Sequence, residues 1–309
     1  MKAARRARQI GARALQIFSD NPTAWRRRPE PPADAAAFID YAAREGIDTI
    51  SIHASYLVNL AGTAEPFASQ SRDGLIVEMQ RAPLSGATDV NTHIGSHRGV
   101  GPEAGLGQII ENVRAILAES PPSVRLVLEN SSGGGDTLGA RLEELAAILS
   151  GVGDRADGLA FCLDTAHLWG AGYDLSTEEG ALHVIDVFDD LIGLDRLALV
   201  HLNDTRSALA SRADRHEHVG AGQIGPLGLG ALPRDRRLAG TTFIMETPGA
   251  DEGWDAVNLR RAWQLWHGAR ELPILPPKAF HPPRRSTRAG PAGGRVSGGR
   301  GQRRVRPSD

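Results

Sequence analysis

The 309-residue chain reads as an α/β fold, a (β/α)8 barrel lacking its first strand. Three observations carry that reading. Short, nearly continuous apolar runs recur seven times, helical periodicity fills the intervals between them, and six of the seven runs end in an ionisable residue. Continuous apolar runs are expected of parallel strands covered on both faces, and strand alternating with helix predicts a parallel sheet. Barrels of this kind hold about 250 residues as one domain, so the length does not require a division.

The opening MKAARRARQIGAR reads as a helix that leads into the first run, ALQIF (14 to 18). No strand precedes that helix, so the first strand of a barrel is expected to be missing. PADAAAFIDYAAREG follows with helical spacing, Asp34 as its N-cap and Gly46 as its stop, and leads into TISIH (49 to 53). The remaining runs are VNTHI (90 to 94), LVLEN (126 to 130), LAFCLD (159 to 164), LALVHLN (197 to 203) and TTFIMET (241 to 247). Between the third and fourth, the Gly-rich RGVGPEAGLG (98 to 107) is expected to form a mobile rim.

Composition narrows the possibilities further. Apolar residues make up 41% and aromatics 5%, so the core is built from Ala, Leu, Val and Ile. The single Cys162 rules out a disulfide framework and thiolate zinc sites. No apolar run reaches 18 residues, and the basic start lacks the apolar middle of a signal peptide, so a cytoplasmic protein without membrane contact is expected. From Leu272 onward nine Lys and Arg oppose Asp309 alone, which gives that stretch +8 and leaves residues 1 to 271 at −10 of the net −2. Residues 1–271 are therefore read as the barrel domain. Residues 272–309, rich in Pro, Gly and Arg, are read as a disordered tail, either a solvated extension or a loose hold on nucleic acid phosphates.

The polar run ends are the informative feature. His53, His93, Glu129, Asp164, His201 and Glu246 close successive runs, with His167 just beyond Asp164. The C-terminal ends of parallel barrel strands meet at one mouth, so these side chains converge. Converging carboxylates repel and raise one another's pKa values unless cations sit between them. A single His at a strand end would mean little; six ends in succession point to metal ions. Nitrogen and carboxylate donors without thiolate suit zinc, with manganese or iron as competitors, and a bridging carboxylate would make a two-metal hydrolytic site. The segment VHLNDTRSALASRADRHEH (200 to 218) adds Asp214 and His216, two residues apart and so able to point the same way in an extended segment.

The segments HASYLVNL (53 to 60), THIGSH (92 to 97), LENSSGGGDTLG (128 to 139), CLDTAHLWGAGYDL (162 to 175), VHLNDTRSALASRADRHEHVGAGQIG (200 to 225) and IMETPG (244 to 249) together resemble the endonuclease IV family of apurinic/apyrimidinic endonucleases. The resemblance runs from about Leu15 to about Gly268 and implies a TIM-type (β/α)8 barrel with three zinc ions. By position it implies His53, His93 and Glu129 at the first ion, Glu129 bridging to a second held by Asp164, His201 and Glu246, and His167, Asp214 and His216 at the third. It implies hydrolysis of the phosphodiester 5′ to an abasic site in double-stranded DNA, leaving a 3′-hydroxyl, as in base excision repair, with Glu129 and Glu246 as the catalytic carboxylates. The ions of such a cluster would activate water at neutral pH and neutralise charge on the phosphorane. Tyr56, with Leu57 beside it, matches the loop residue that enters the duplex, Arg215 matches a DNA contact, and a monomer is expected. FSDNPTAW (18 to 25) resembles a further DNA loop in which a basic residue is common where Thr23 stands, with Arg26, Arg27 and Arg28 as substitutes.

The departures are specific. Ile94 stands where Pro is common, and Ala166 where Cys is common. The family begins with a strand of the type GAHVS before its first helix, whereas this chain starts at that helix. Either the chain is truncated at its N-terminus or the barrel lacks that strand, and open edges beside the last strand would hold Glu246 less firmly. Two other readings compete with the nuclease: an inactive relic that binds metal or damaged DNA, and a sugar isomerase or epimerase on the same barrel. The latter would not need the RADRH segment facing His167.

Overall fold

The computed structural model describes residues 1 to 25 and 32 to 280. Its helices are α1 (Lys2–Ile10), α2 (Ala35–Arg44), α3 (Phe67–Arg81), α4 (Pro102–Glu119), α5 (Leu142–Val152), α6 (Thr165–Ala171), α7 (Glu178–Leu191), α8 (Gly225–Arg234) and α9 (Trp254–Trp266). Its strands are β1 (Ala14–Ile17), β2 (Thr49–His53), β3 (Asp89–His93), β4 (Arg125–Glu129), β5 (Leu159–Asp164), β6 (Leu197–His201), β7 (Asp204–Thr205), β8 (His216–Glu217) and β9 (Thr242–Ile244). All seven apolar runs are strands of one parallel sheet, ordered β1-β2-β3-β4-β5-β6-β9. None of the described helices is long and apolar enough to cross a membrane.

Two-residue alternation explains how an apolar sheet delivers polar groups to its mouth. In β4, Leu126 and Leu128 join the large core between strands and helices, while Val127 belongs to a separate cluster with Ala160, Cys162, Ala198 and Leu199 inside the barrel. Glu129, two residues after Val127, continues that inner column, as Asp164 does after Cys162 and His201 after Leu199. Register then sets the ends level: His93 pairs with Glu129 and Asp164 with His201.

The sheet is nearly closed. β1 and β9 are its two edges and share no hydrogen-bonded ladder. A side chain spans the seam instead, Gln16 Nε2 donating to Glu246 Oε1 at 2.8 Å, while Thr242 Oγ1 of β9 reaches past β1 to Thr49 Oγ1, the first residue of β2, at 3.3 Å. A cavity of about 1600 Å³ opens at the mouth and continues down this seam, between α1, α9 and the end of α8.

Several local expectations need revision. Asp34 is the N-cap of α2 but makes no side-chain cap; its carboxylate pairs with the Met1 amino group at 3.0 Å. The stretch 98–107 is only half a loop, because Pro102 at the first turn starts α4 and Gly105 lets that helix lie against His97, where a Cβ would come within 2.6 Å. The first nine residues of the stretch expected to be an unpacked tail, 272 to 280, are packed against the barrel domain. Residues 272 to 280 turn back along α9 with Leu275 and Ala279 buried. Arg261 donates to the Pro273 carbonyl at 2.7 Å, and Phe280 packs on the His218 ring beside Trp254, the first residue of α9. The remainder of the expected tail, 281 to 309, lies outside the described residues.

Candidate metal centre

Glu129 is fully buried at the centre of the mouth. Its Oε2 lies 3.7 Å from His53 Nε2 and 3.9 Å from His93 Nε2, and its Oε1 lies 3.2 Å from His167 Nδ1 and 3.4 Å from His201 Nδ1. His201 Nδ1 also faces Asp164 Oδ2 at 3.7 Å and Glu246 Oε2 at 3.5 Å. On the far side, His216 Nε2 stands 3.5 Å from Asp164 Oδ2 and 3.1 Å from Asp214 Oδ1, while His167 Nε2 stands 3.2 Å from Asp214 Oδ2. The nine residues singled out in the sequence thus form one connected constellation.

Local structure fixes the donors. Asp164 caps α6, with its Oδ1 accepting the His167 backbone N–H at 2.9 Å. His216 is held by the short antiparallel pair β7–β8, in which it lies opposite Thr205. The loop between those strands turns through left-handed residues Ala210 (φ 58°) and Arg212 (φ 57°), an uncommon conformation for residues other than Gly. The Arg212 guanidinium ties this loop to the Gly133 and Gly135 carbonyls, which keeps Asp214 over the mouth.

The imidazoles are turned inward by their outer nitrogens. His53 Nδ1 donates to the Ala54 carbonyl at 2.7 Å, His201 Nε2 to Gln16 Oε1 at 3.3 Å, and His216 Nδ1 to the Glu246 carbonyl at 3.0 Å. Each leaves its other nitrogen facing carboxylates, the arrangement of a metal-ligating His whose tautomer is set by an outer partner. Three buried inward atoms, Glu129 Oε1, His201 Nδ1 and His216 Nε2, have no hydrogen-bond partner. Donor atoms lie within 4.8 Å of one another in the sets His53–His93–Glu129, Glu129–Asp164–His201–Glu246 and Asp164–His167–His216. Orphaned buried polar atoms in a mixed imidazole and carboxylate set fit divalent cations.

The electrostatics agree. Burial opposes ionisation of Glu129, yet His201 and His93 hold its carboxyl well below the ordinary value. Burial likewise opposes Asp164, which His167 and His216 bring down to about 2. The reciprocal effect outweighs the burial that disfavours imidazolium, raising His167 and His201 well above the ordinary value and His216 to about 9. Without cations, protons on histidine balance the carboxylates; a metal ion would displace them. Cys162 lies beneath the cluster, with its Sγ within 4.8 Å of donor atoms of Glu129 and His201. Burial pushes its thiol up to about 12, so it offers no thiolate at neutral pH.

The rim carries the other expected residues. Tyr56 is 61% exposed, with its ring 5.2 Å from Phe18 and 5.7 Å from His53, and Leu57 follows it. Pro22 ties the loop 18–25 to this rim, accepting from Tyr56 N at 3.0 Å and Ser55 Oγ at 2.7 Å. Arg215 is exposed beside Asp214, whose carbonyl it contacts at 3.0 Å, and both line the cavity. Arg26, Arg27 and Arg28 lie outside the described residues.

Several supporting amides escaped the sequence reading. Asn91 donates to Glu129 Oε2 at 2.6 Å, Asn203 donates to Asp164 Oδ2 at 2.6 Å and accepts from Glu246 N at 2.8 Å, and Asn130 accepts from Asp164 N at 2.7 Å. A signal existed for one of them: Asn91 lies two residues before His93 in its strand, hence on the same face.

The Xylose isomerase-like TIM barrel family matches residues 4 to 264. A protein of Halorhodospira halophila named "Probable endonuclease 4" is 40% identical over 255 residues, covering 82% of this chain and 86% of that one. One of the same name from Halothermothrix orenii is 37% identical over 263 residues, covering 84% and 94%. The crystal structure of endonuclease IV from Thermus thermophilus superposes with a TM-score of 0.76 at 37% identity, covering 87% of this chain and 94% of that one.

Proposed function

Since the chain belongs to the endonuclease IV family of metal-dependent hydrolases, we propose that it is a DNA-repair endonuclease that cuts the phosphodiester 5′ to an abasic site through a three-zinc cluster, leaving a 3′-hydroxyl. The observation that carries this reading is the set of three inward, unpartnered atoms, Glu129 Oε1, His201 Nδ1 and His216 Nε2, amid nine converging donors. His53, His93 and Glu129 would hold one ion, Glu129, Asp164, His201 and Glu246 a second, and His167, Asp214 and His216 a third. Bound there, the ions would lower the pKa of water and neutralise charge on the phosphate.

The chain's own groups supply the rest. Glu246 turns its Oε2 toward the centre while Gln16 binds its Oε1, so the carboxylate would lie beside the attacking water, orient it and accept its proton. Water oxygen joins phosphorus, the bond from phosphorus to the 3′ oxygen breaks, and that oxygen gains a proton. Tyr56, exposed on the rim, and Leu57 beside it would enter the duplex next to the lesion, and the exposed Arg215 would meet a phosphate. A flipped abasic nucleotide suits the mouth because no base must be unstacked.

The test is incision of a duplex bearing one abasic-site analogue by the purified chain, with bound metal quantified in the same sample. Cleavage 5′ to the analogue with close to three zinc ions per chain is expected. Three bound ions without incision would overturn the nuclease reading and favour an inactive metal-binding barrel.

A further inference from the structure

We propose that Gln16 is a positioning residue whose single amide sets the orientation of both Glu246 and His201 across the open seam. The inference rests on the metal-centre reading above and concerns a residue outside its donor set. Glu246 lies two residues beyond the last ladder residue of β9, Ile244, and its side chain is 30% exposed. Its backbone is held by Asn203 and His216. Its carboxylate has a different support: Gln16 Nε2, from the opposite edge of the sheet, donates to Oε1 at 2.8 Å. The other end of the same amide accepts from His201 Nε2 at 3.3 Å and from Ser51 Oγ at 3.4 Å.

The amide can be placed only one way round. Reversed, its NH2 would face the imidazole N–H and its oxygen the carboxylate, so both contacts would become repulsive. In the observed sense the carbonyl would keep the one remaining proton of a metal-bound His201 on Nε2, and Nδ1 is turned to Glu129, Asp164 and Glu246. The NH2 simultaneously turns Glu246 Oε2 toward the same point. In most barrels two neighbouring strands would brace such groups through backbone pairing. Here β1 and β9 share no ladder, and one side chain spans the edges at the height of the donors.

Isosteric changes separate the two ends of the amide. Gln16→Met removes both contacts at similar volume, whereas Gln16→Glu keeps an acceptor for His201 but sets a carboxylate against Glu246. Outer partners of metal ligands are worth about 10- to 100-fold in affinity. The experiment is zinc binding to the full chain by chelator competition, with Co²⁺ absorption as a second probe of ligand geometry. Thr242→Val, which removes the hydrogen bond from β9 to Thr49 of β2, serves as the control for a general loosening of the β9 edge. For Gln16→Met we expect one zinc to weaken 10- to 100-fold and the cobalt spectrum to change, with the other ions and far-ultraviolet circular dichroism preserved. Gln16→Glu should weaken the same ion, and Thr242→Val none.

Equal affinities in the parent and Gln16→Met, or parallel losses in Gln16→Met and Thr242→Val, would overturn the positioning role. A parent chain that takes up neither metal would overturn it together with the metal centre. Metal uptake without incision would sink only the nuclease reading and leave the Gln16 comparison decisive.

Discussion

Asp164 accepts the backbone N–H of His167 through Oδ1 while its Oδ2 faces His201 and His216, so one candidate ligand caps the helix that carries another. The two duties can be separated. Asn caps a helix about as well as Asp but carries no charge, whereas Ala does neither. Asp164→Asn and Asp164→Ala should both lose metal, yet in the metal-stripped protein the Ala variant should be less stable than the Asn variant by about 1 kcal/mol, the usual worth of an N-cap. Urea unfolding of the two variants measures this difference. Equal midpoints and slopes would mean the cap contributes nothing.

Glu129 touches four imidazoles, so its loss should be felt by more than one ion. Glu129→Ala is expected to lower incision at least about 1000-fold, roughly 4 kcal/mol of barrier, and to reduce bound metal by more than one ion. Near-normal turnover on the abasic duplex would refute the cluster.

The histidines give metal-stripped protein a defined pH response. The folded pKa values of His167 and His201 lie well above the unfolded value and that of His216 is about 9. A raised folded pKa means that the stabilisation is fully present below the unfolded value of about 6.5 and is lost as pH rises through the folded value. For His216 that window runs from about 6.5 to about 9. The melting temperature of the stripped protein should therefore fall over this range, while zinc affinity should rise as protons stop competing for the nitrogens. Melting curves and zinc titrations at matched ionic strength would show whether the two trends oppose.

The position of Phe280 changes where the basic tail should be cut. A chain ending at Phe280 keeps Leu275, Ala279 and the ring on His218, and loses the eight Arg of residues 281 to 309. It should turn over short saturating duplexes at the parent rate, with the slope of log affinity against log salt reduced by about 2 or more. A chain ending at residue 271 should in addition lose stability, since burying one Leu is worth roughly 1.5–3 kcal/mol. An unchanged salt slope in the first chain would remove any DNA role for the tail.

Much of this arrangement is legible in the sequence because parallel strands buried on both faces leave uninterrupted apolar runs, and their ends stand out against them. Glu129 and His201 are readable for that reason. β7 and β8 are not, since two-residue strands carry no periodicity, and the pairing of Thr205 with His216 depends on a ten-residue excursion between them. Residues 272 to 280 mislead because Pro-rich composition suggests an unpacked chain, although Leu275 finds a buried place and Arg261 a carbonyl to bind. The link from Gln16 to Glu246 spans 230 positions and follows from how the sheet curls, which no local pattern encodes.

The seam gives the molecule a preferred place to breathe. Detaching an inner strand such as β4 breaks two ladders, whereas β1 and β9 each have one neighbour. Local opening should therefore start at the edges that carry Gln16 and lead to Glu246, while Glu129 stays shielded in the middle of the sheet. Amide exchange should be faster along β1 and β9 than along β4, and turnover should fail on heating before the fold does. The protein would then lose its chemistry through a small, reversible parting of two strands long before it melts.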